Sequence, residues 1–375
     1  MKKLTFLKIG ILTLSSMFIV FTAVASGLPD EWTEINPADY GFTYNGLEPA
    51  CSNCPGMPDD EFTFFVKGGK RNNLVIFFQG GGACWDAMNC IYAKTYTPYQ
   101  QEELWWFSDD NEGYGIFDQT EKDNPFKDWG FVYIPYCTGD LFWGANDATY
   151  DGFTIKHRGF VNFMSVLEYL ENNTTYPGKI FVTGSSAGSY GATIAFPYIK
   201  ESFKWSNVYL LGDAGNGILG GTFPTEGILN WNVQIPDWIF PGGYDPSMTM
   251  PVVYTAIAAE YPWSRLAQYT TAYDGTQIYF YNVMLNIDDP NEWENITPTV
   301  IWTWHYTMKT YAYTTAAASP NYRYYIASGT VHTIMMSPEF YTEESAGGEL
   351  FVDWVDAMIN TPNKWENLEC ENCLP

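Results

Sequence analysis

The chain of 375 residues carries 43 acidic and 18 basic residues, a net charge of −25 and a sequence pI near 4.2. Such a surface repels polyanions, which excludes nucleic acid and anionic membranes as partners. With 46% hydrophobic and 18% aromatic residues the chain supplies a large core, so extended disorder is excluded as well.

Residues 1–25 read MKKLTFLKIGILTLSSMFIVFTAVA: Lys2, Lys3 and Lys8, an apolar run, then the small-residue pattern Ala23-Val24-Ala25. This is the pattern of a secretory signal peptide, and its removal takes the net charge from −25 to −28, since it holds three lysines and no acid. The expectation is a soluble, secreted or periplasmic protein. Residues 26–60 form an amino-terminal extension rich in Pro and Gly, and 61–375 a single catalytic domain without repeats.

Apolar runs in the domain read as strands at Phe62 to Val66, Leu74 to Phe78, Phe131 to Tyr136, Ile180 to Thr183, Val208 to Leu211 and Tyr324 to Ala327. Helical spacing marks Arg158 to Leu170, where Phe160, Phe163, Met164, Leu167 and Leu170 share one face, and also Ala187 to Ile199 and Leu350 to Ile359. Strands alternating with helices predict an α/β fold, a mostly parallel central sheet flanked by helices. The surplus length falls in two insertions forming a cap-like region, Ile91 to Lys127 and Pro224 to Tyr261, the second continuing toward Ala318.

Export permits disulfides. Cys84 and Cys90 are spaced to close a small loop; Cys51-x-x-Cys54 and Cys370-x-x-Cys373 pair locally or join the two termini; Cys137 reads as a buried free thiol. The paired C-x-x-C motifs also have the form of a zinc or redox site, the less favoured reading in an oxidising compartment.

Gly184-Ser185-Ser186-Ala187-Gly188 fits G-x-S-x-G between an apolar strand and a helix, the setting of a nucleophile elbow. A second feature supports it: the strand ending at Gln79 runs into Gly80-Gly81-Gly82, a loop of unobstructed amides of the kind esterases use for an oxyanion hole, with the residue after the nucleophile, here Ala187, as the other donor. Three histidines are available as base. His157 precedes the serine, and His305 lies in an aromatic helical stretch, so both read as structural. His332 follows the last long strand in a Ser-Gly-Thr-Val loop, where the hydrolase chain order places the base. For the acid, Asp213 ends the strand after the elbow and suits a supporting role, Asp288-Asp289 reads as a turn, and Asp274 stands modestly ahead on spacing.

QGGGACWDAMNC (79–90), IPYCTGDLFWG (134–144), HRGFVN (157–162), VTGSSAGSYGA (182–192), LGDAG (211–215), AYDGTQ (272–277) and SGTVHT (328–333) together resemble the pectin acetylesterase and Notum family of carboxylester hydrolases. The resemblance implies an α/β-hydrolase fold, Ser186 as nucleophile, Asp274 as triad acid, His332 as base, and an oxyanion hole from the amides of Gly81, Gly82 and Ala187. It further implies that Cys84 and Cys90 are joined. Plant members read Gly-Gly-Gly-Trp-Cys; here Ala83 stands at the Trp position and Trp85 follows the cysteine.

The expected activity is serine carboxylester hydrolysis of a small or polymeric extracellular ester, such as an acetylated polysaccharide, without metal or organic cofactor. Polyesters, lipids and acylated proteins are alternative substrates, and a non-catalytic binding protein on the same scaffold is the alternative class. Trp105, Trp106, Trp143 and Trp263 are candidates to line a cleft.

Overall fold

The computed structural model describes residues 27–58, 61–100, 115–371 and 373; the leader-like segment, Trp105 and Trp106 lie outside them. Strands β3 (Asn73–Phe78) and β7 (Lys179–Ser185) run parallel at the centre of the main sheet. Their continuous apolar runs follow from burial on both faces. Leu74, Ile76, Phe78, Ile180 and Val182 enter one core, whereas Val75, Phe77 and Phe181 enter the other. Helices α1 (Gly159–Asn173), α2 (Ala187–Ser202) and α3 (Met250–Glu260) contribute Phe160, Ile194 and Tyr254 to the first layer. Helix α6 (Phe351–Asn360) closes the second with Phe351, Trp354 and Val355.

With β1 (Thr33–Ile35), β2 (Phe64–Lys67), β4 (Gly130–Ile134), β8 (Asn207–Asp213), β9 (Arg265–Thr271), β10 (Tyr322–Ala327) and β11 (Leu368–Glu369), the order across the sheet is β1-β2-β4-β3-β7-β8-β9-β10-β11. Strand β2 is antiparallel to both its neighbours, and the strands from β4 to β11 in that order are parallel. The amino-terminal extension is therefore part of the sheet, through β1. A separate hairpin, β5 (Asn146–Tyr150) with β6 (Phe153–His157), leads into α1.

Two expectations are corrected. The second insertion does not continue toward Ala318: at Arg265 the chain returns to the sheet as β9, then forms α4 (Gly275–Leu285) and α5 (Pro298–Ala318). Strand β9, RLAQYTT, lacks an apolar run because its buried polar residues are satisfied in place. Gln268 donates to the Gly215 carbonyl and accepts from the Tyr322 hydroxyl. Two cysteine pairings fall as expected, Cys84 with Cys90 and Cys370 with Cys373, but Cys51, Cys54 and Cys137 do not: Cys137 is bonded to Cys51, and among the described residues Cys54 is the free, buried thiol. The Ser52 amide donates to the Cys137 carbonyl at 3.0 Å, which seats Cys51 beside Cys137, three residues past the end of β4. The two C-x-x-C motifs thus form no four-sulfur site.

Candidate active site

Strand β7 delivers Ser186 to the carboxyl edge of the sheet. Ser186 has φ 56° and ψ −122°, and α2 begins at the next residue. A non-glycine residue in this region costs roughly 1–3 kcal/mol and persists where its surroundings enforce it. Here the Ser186 amide donates to the Asp213 carbonyl at 2.8 Å, and its own carbonyl accepts from Ser189 at 2.9 Å. Glycine is required at 188 because a Cβ there would run into the Phe78 carbonyl at the end of β3.

The glycine loop follows that same strand. The Thr97 amide donates to the Gly81 carbonyl at 2.8 Å and the Ala83 amide to the Thr95 carbonyl at 3.3 Å, so Gly82 sits opposite Tyr96 with its amide turned out of the ladder. Gly82 has φ 73°, and a Cβ on it would strike the Thr95 carbonyl. Among the described residues, the amides of Gly81, Gly82 and Ala187 donate to no backbone carbonyl outside regular elements. Gly82 and Ala187 face the same cavity as Ser186; Gly81 stands behind them, where its Cβ would lie 2.6 Å from the Tyr136 ring.

His332 Nδ1 lies 2.9 Å from both carboxylate oxygens of Asp274. Asp274 is fully buried and caps α4: it accepts from the Gln277 amide at 2.9 Å and from Gln277 Nε2 at 3.0 Å. Gln277 is itself fixed, accepting from the Asn216 amide and donating to Asn216 and Thr270 side chains. Among the described residues His332 Nε2 is buried without a hydrogen-bond partner. Asn216 escaped the sequence reading; Gln277 stood in the AYDGTQ block without a role of its own, although Asp274-x-x-Gln277 has the spacing of a capping box.

The remaining candidates fall elsewhere. Among the described residues Asp213 makes no hydrogen bond to the His332 ring; its buried carboxylate accepts from Ser185 Oγ at 2.6 Å and from the amides of Ile334 and Met335 at 3.0 Å, and burial pushes its pKa up. Asp289 caps an exposed turn at Pro290–Glu292. His157 is fully buried between the Thr138 carbonyl (2.9 Å) and the Tyr150 hydroxyl (3.0 Å), and burial lowers its pKa to about 4. His305 contacts the Ala272 carbonyl through Nδ1 and stacks on Tyr273.

Ser186 and His332 open onto a cavity of about 100 Å³. Its wall is mainly apolar, with Trp143, Ile194, Phe223, Phe240, Met250 and Val253 among its residues. Ala83 and Trp85 also line it, whereas Trp263 is 97% exposed and takes no part. A water needs about 10–15 Å³ of such space, so the cavity holds roughly seven to ten groups of that size, well beyond the single methyl of an acetyl group.

The strand order, the antiparallel β2 and the elbow at the carboxyl edge define an α/β-hydrolase fold. Structures of the Wnt deacylase Notum from Drosophila superpose with TM-scores of 0.60 and 0.63 at 14% identity, covering 87% of this chain and 93% and 94% of theirs. The pectinacetylesterase family model matches residues 63–218. Palmitoleoyl-protein carboxylesterase NOTUM of Schmidtea mediterranea is 29% identical over 134 residues, 35% of this chain and 25% of that protein. Palmitoleoyl-protein carboxylesterase notum1a of Danio rerio is 26% identical over 224 residues, 55% of this chain and 44% of that protein. Pectin acetylesterase 11 of Arabidopsis thaliana is 27% identical over 156 residues, 41% and 39%. Over these stretches the chain is similar to carboxylesterases of the pectin acetylesterase and Notum family. The matches span between a quarter and under half of the length of these curated relatives.

Proposed function

We propose that this protein is a serine carboxylester hydrolase acting outside the cytoplasm, with an acyl substrate larger than acetyl. The observation that carries the reading is His332, bound through Nδ1 to buried Asp274 while Nε2 is unpartnered among the described residues, beside a cavity that also holds Ser186. A carboxylate at Nδ1 selects the tautomer whose Nε2 accepts a proton. Ser186 Oγ attacks the ester carbonyl carbon as Nε2 takes its proton, and the amides of Gly82 and Ala187, which face the cavity, receive the oxyanion, while Gly81 behind them shapes the loop. Collapse expels the alcohol, which leaves with the proton from Nε2. Water then repeats the sequence on the acyl-enzyme, releasing the acid. Three disulfides and the leader-like amino terminus support an oxidising compartment.

The size and apolar lining of the cavity favour an aliphatic or aromatic acyl group, on a lipid, a protein or a polyester. An acetylated polysaccharide is the second reading, favoured by the pectinacetylesterase match. Deacetylated pectin is itself a polyanion, however, and a mature chain at −28 repels it over distances up to about 10 Å, beyond which salt screens the charge. Purified protein should be assayed on p-nitrophenyl esters from acetyl to dodecanoyl, on acetylated pectin and on acetylated xylan, beside Ser186→Ala. The expected optimum is above acetyl, with Ser186→Ala inactive; burst kinetics retained in Ser186→Ala refute the mechanism, and an optimum at acetyl refutes the acyl assignment.

A further inference from the structure

Two of the turns that carry this site are held in unfavourable backbone conformations. Ser186 has φ 56°, and Thr333, the residue after His332, has φ 67°. A β-branched residue at positive φ is a marked outlier, costing on the order of 1–3 kcal/mol. The base loop therefore needs an external partner to keep its shape, and so does the elbow.

Both turns are bound by the same residue. Asp213, at the end of β8 and fully buried, accepts the Ser186 amide on its carbonyl at 2.8 Å and the Ser185 hydroxyl on its carboxylate at 2.6 Å. That same carboxylate accepts the amides of Ile334 and Met335. Successive amides following a left-handed residue form a concave anion site, and here the anion is a side chain. All its side-chain partners donate, so a carboxylate satisfies them, whereas a carboxamide would turn an N–H₂ toward a donor.

We propose that Asp213 is a positioning residue that fixes the His332 loop against the Ser186 elbow and so sets the distance between base and nucleophile. Among the described residues it makes no hydrogen bond to the imidazole ring; it acts through the backbone on both sides. The proposal rests on the hydrolase reading above, whose failure would show separately as activity retained by Ser186→Ala.

The test is Asp213→Asn, with folding followed by circular dichroism and turnover by a p-nitrophenyl ester. Misplacing reacting groups by about 1 Å costs roughly 10²-fold, so kcat is expected to fall ten- to a hundredfold while KM stays within threefold. Adding Thr333→Gly, which removes the penalty at φ 67°, is expected to restore at least fivefold of that loss. A folded Asp213→Asn with kcat within threefold of the parent overturns the proposal. So does a loss that Thr333→Gly fails to relieve. If Asp213→Asn does not fold, Ser185→Ala, which removes the one side-chain donor among the three donors to the Asp213 carboxylate, decides: a three- to tenfold drop in kcat at unchanged KM supports the proposal, and parental kcat overturns it.

Discussion

Replacing Asp274 by Asn separates the chemistry of this site from its architecture. Asn caps a helix about as well as Asp, so the start of α4 should survive and stability should change by less than about 1 kcal/mol. The hydrogen bonds, however, cannot all be kept. Asp274 accepts from the Gln277 amide, from Gln277 Nε2 and from His332 Nδ1. Gln277 cannot reverse its amide, because its oxygen accepts from Asn216 and its nitrogen donates to Asn216 and Thr270. With the carboxamide oxygen kept on the Gln277 amide, the new N–H₂ faces His332 Nδ1 and drives the imidazole proton to Nε2. That tautomer cannot accept the Ser186 proton. In serine proteases the equivalent exchange lowers kcat by about 10⁴, and at about 1.36 kcal/mol per decade a loss of 10³ to 10⁴ here corresponds to about 4–5.5 kcal/mol. The assay is steady-state hydrolysis of a p-nitrophenyl ester at pH 7.5, with melting temperature measured in parallel. A folded Asp274→Asn that loses less than tenfold in kcat would show that Asp274 does not set the tautomer.

Other consequences follow from the same structure. Ala83→Trp places an indole in the cavity; at about 0.8 kcal/mol per buried methylene, losing room for four methylenes should lower kcat/KM for an octanoyl ester by roughly 10² while leaving the acetyl ester within threefold. The Cys51–Cys137 bridge closes 86 residues and Cys370–Cys373 only three, so chain-entropy arithmetic gives losses of about 4.5 and about 1.5 kcal/mol on changing each pair to serine; equal losses in urea titrations would refute that ranking. His157 ionises near pH 4 when folded and near 6.5 when unfolded, so the unfolded state binds more protons between those values. Its contribution is complete above pH 6.5 and declines by about 3 kcal/mol as pH falls to 4. The difference in unfolding free energy between parent and His157→Gln should shrink by that amount, and a constant difference would count against it. Subtracting the variant also cancels the opposing effect of buried Asp140, whose pKa burial raises to about 6.

The parts of this molecule that could be read in the chain are those where local pattern and tertiary role coincide. Strands β3 and β7 are apolar throughout because both faces are covered, and the Gly-Ser-Ser-Ala-Gly turn shows its constraint in its small residues. Strand β9 shows neither signal: Gln268 and Thr271 are buried by virtue of partners on β10 and the loops after β8 and β10, which no window of sequence contains. The pairing of Cys137 was hidden for the same reason, since its partner is 86 residues away.

The cavity was hidden for a different one. Trp143, Ile194, Phe223, Phe240, Met250 and Val253 come from separate segments, and each has the chemistry of an ordinary core residue. Pocket lining and core differ only in whether a neighbouring element fills the space in front of them. Here Phe223, Phe240 and Met250, from the segment between β8 and α3, line the cavity together with Ile194 of α2, while Trp238 of the same segment packs on Tyr198 of α2. On the proposed function, acyl preference is a property of how these segments leave that space open. Shortening the side chains of the wall should broaden the preference and filling them should narrow it, while the hydrogen-bonded frame of Asp213, Asp274 and Gln277 behind the catalytic groups stays as it is.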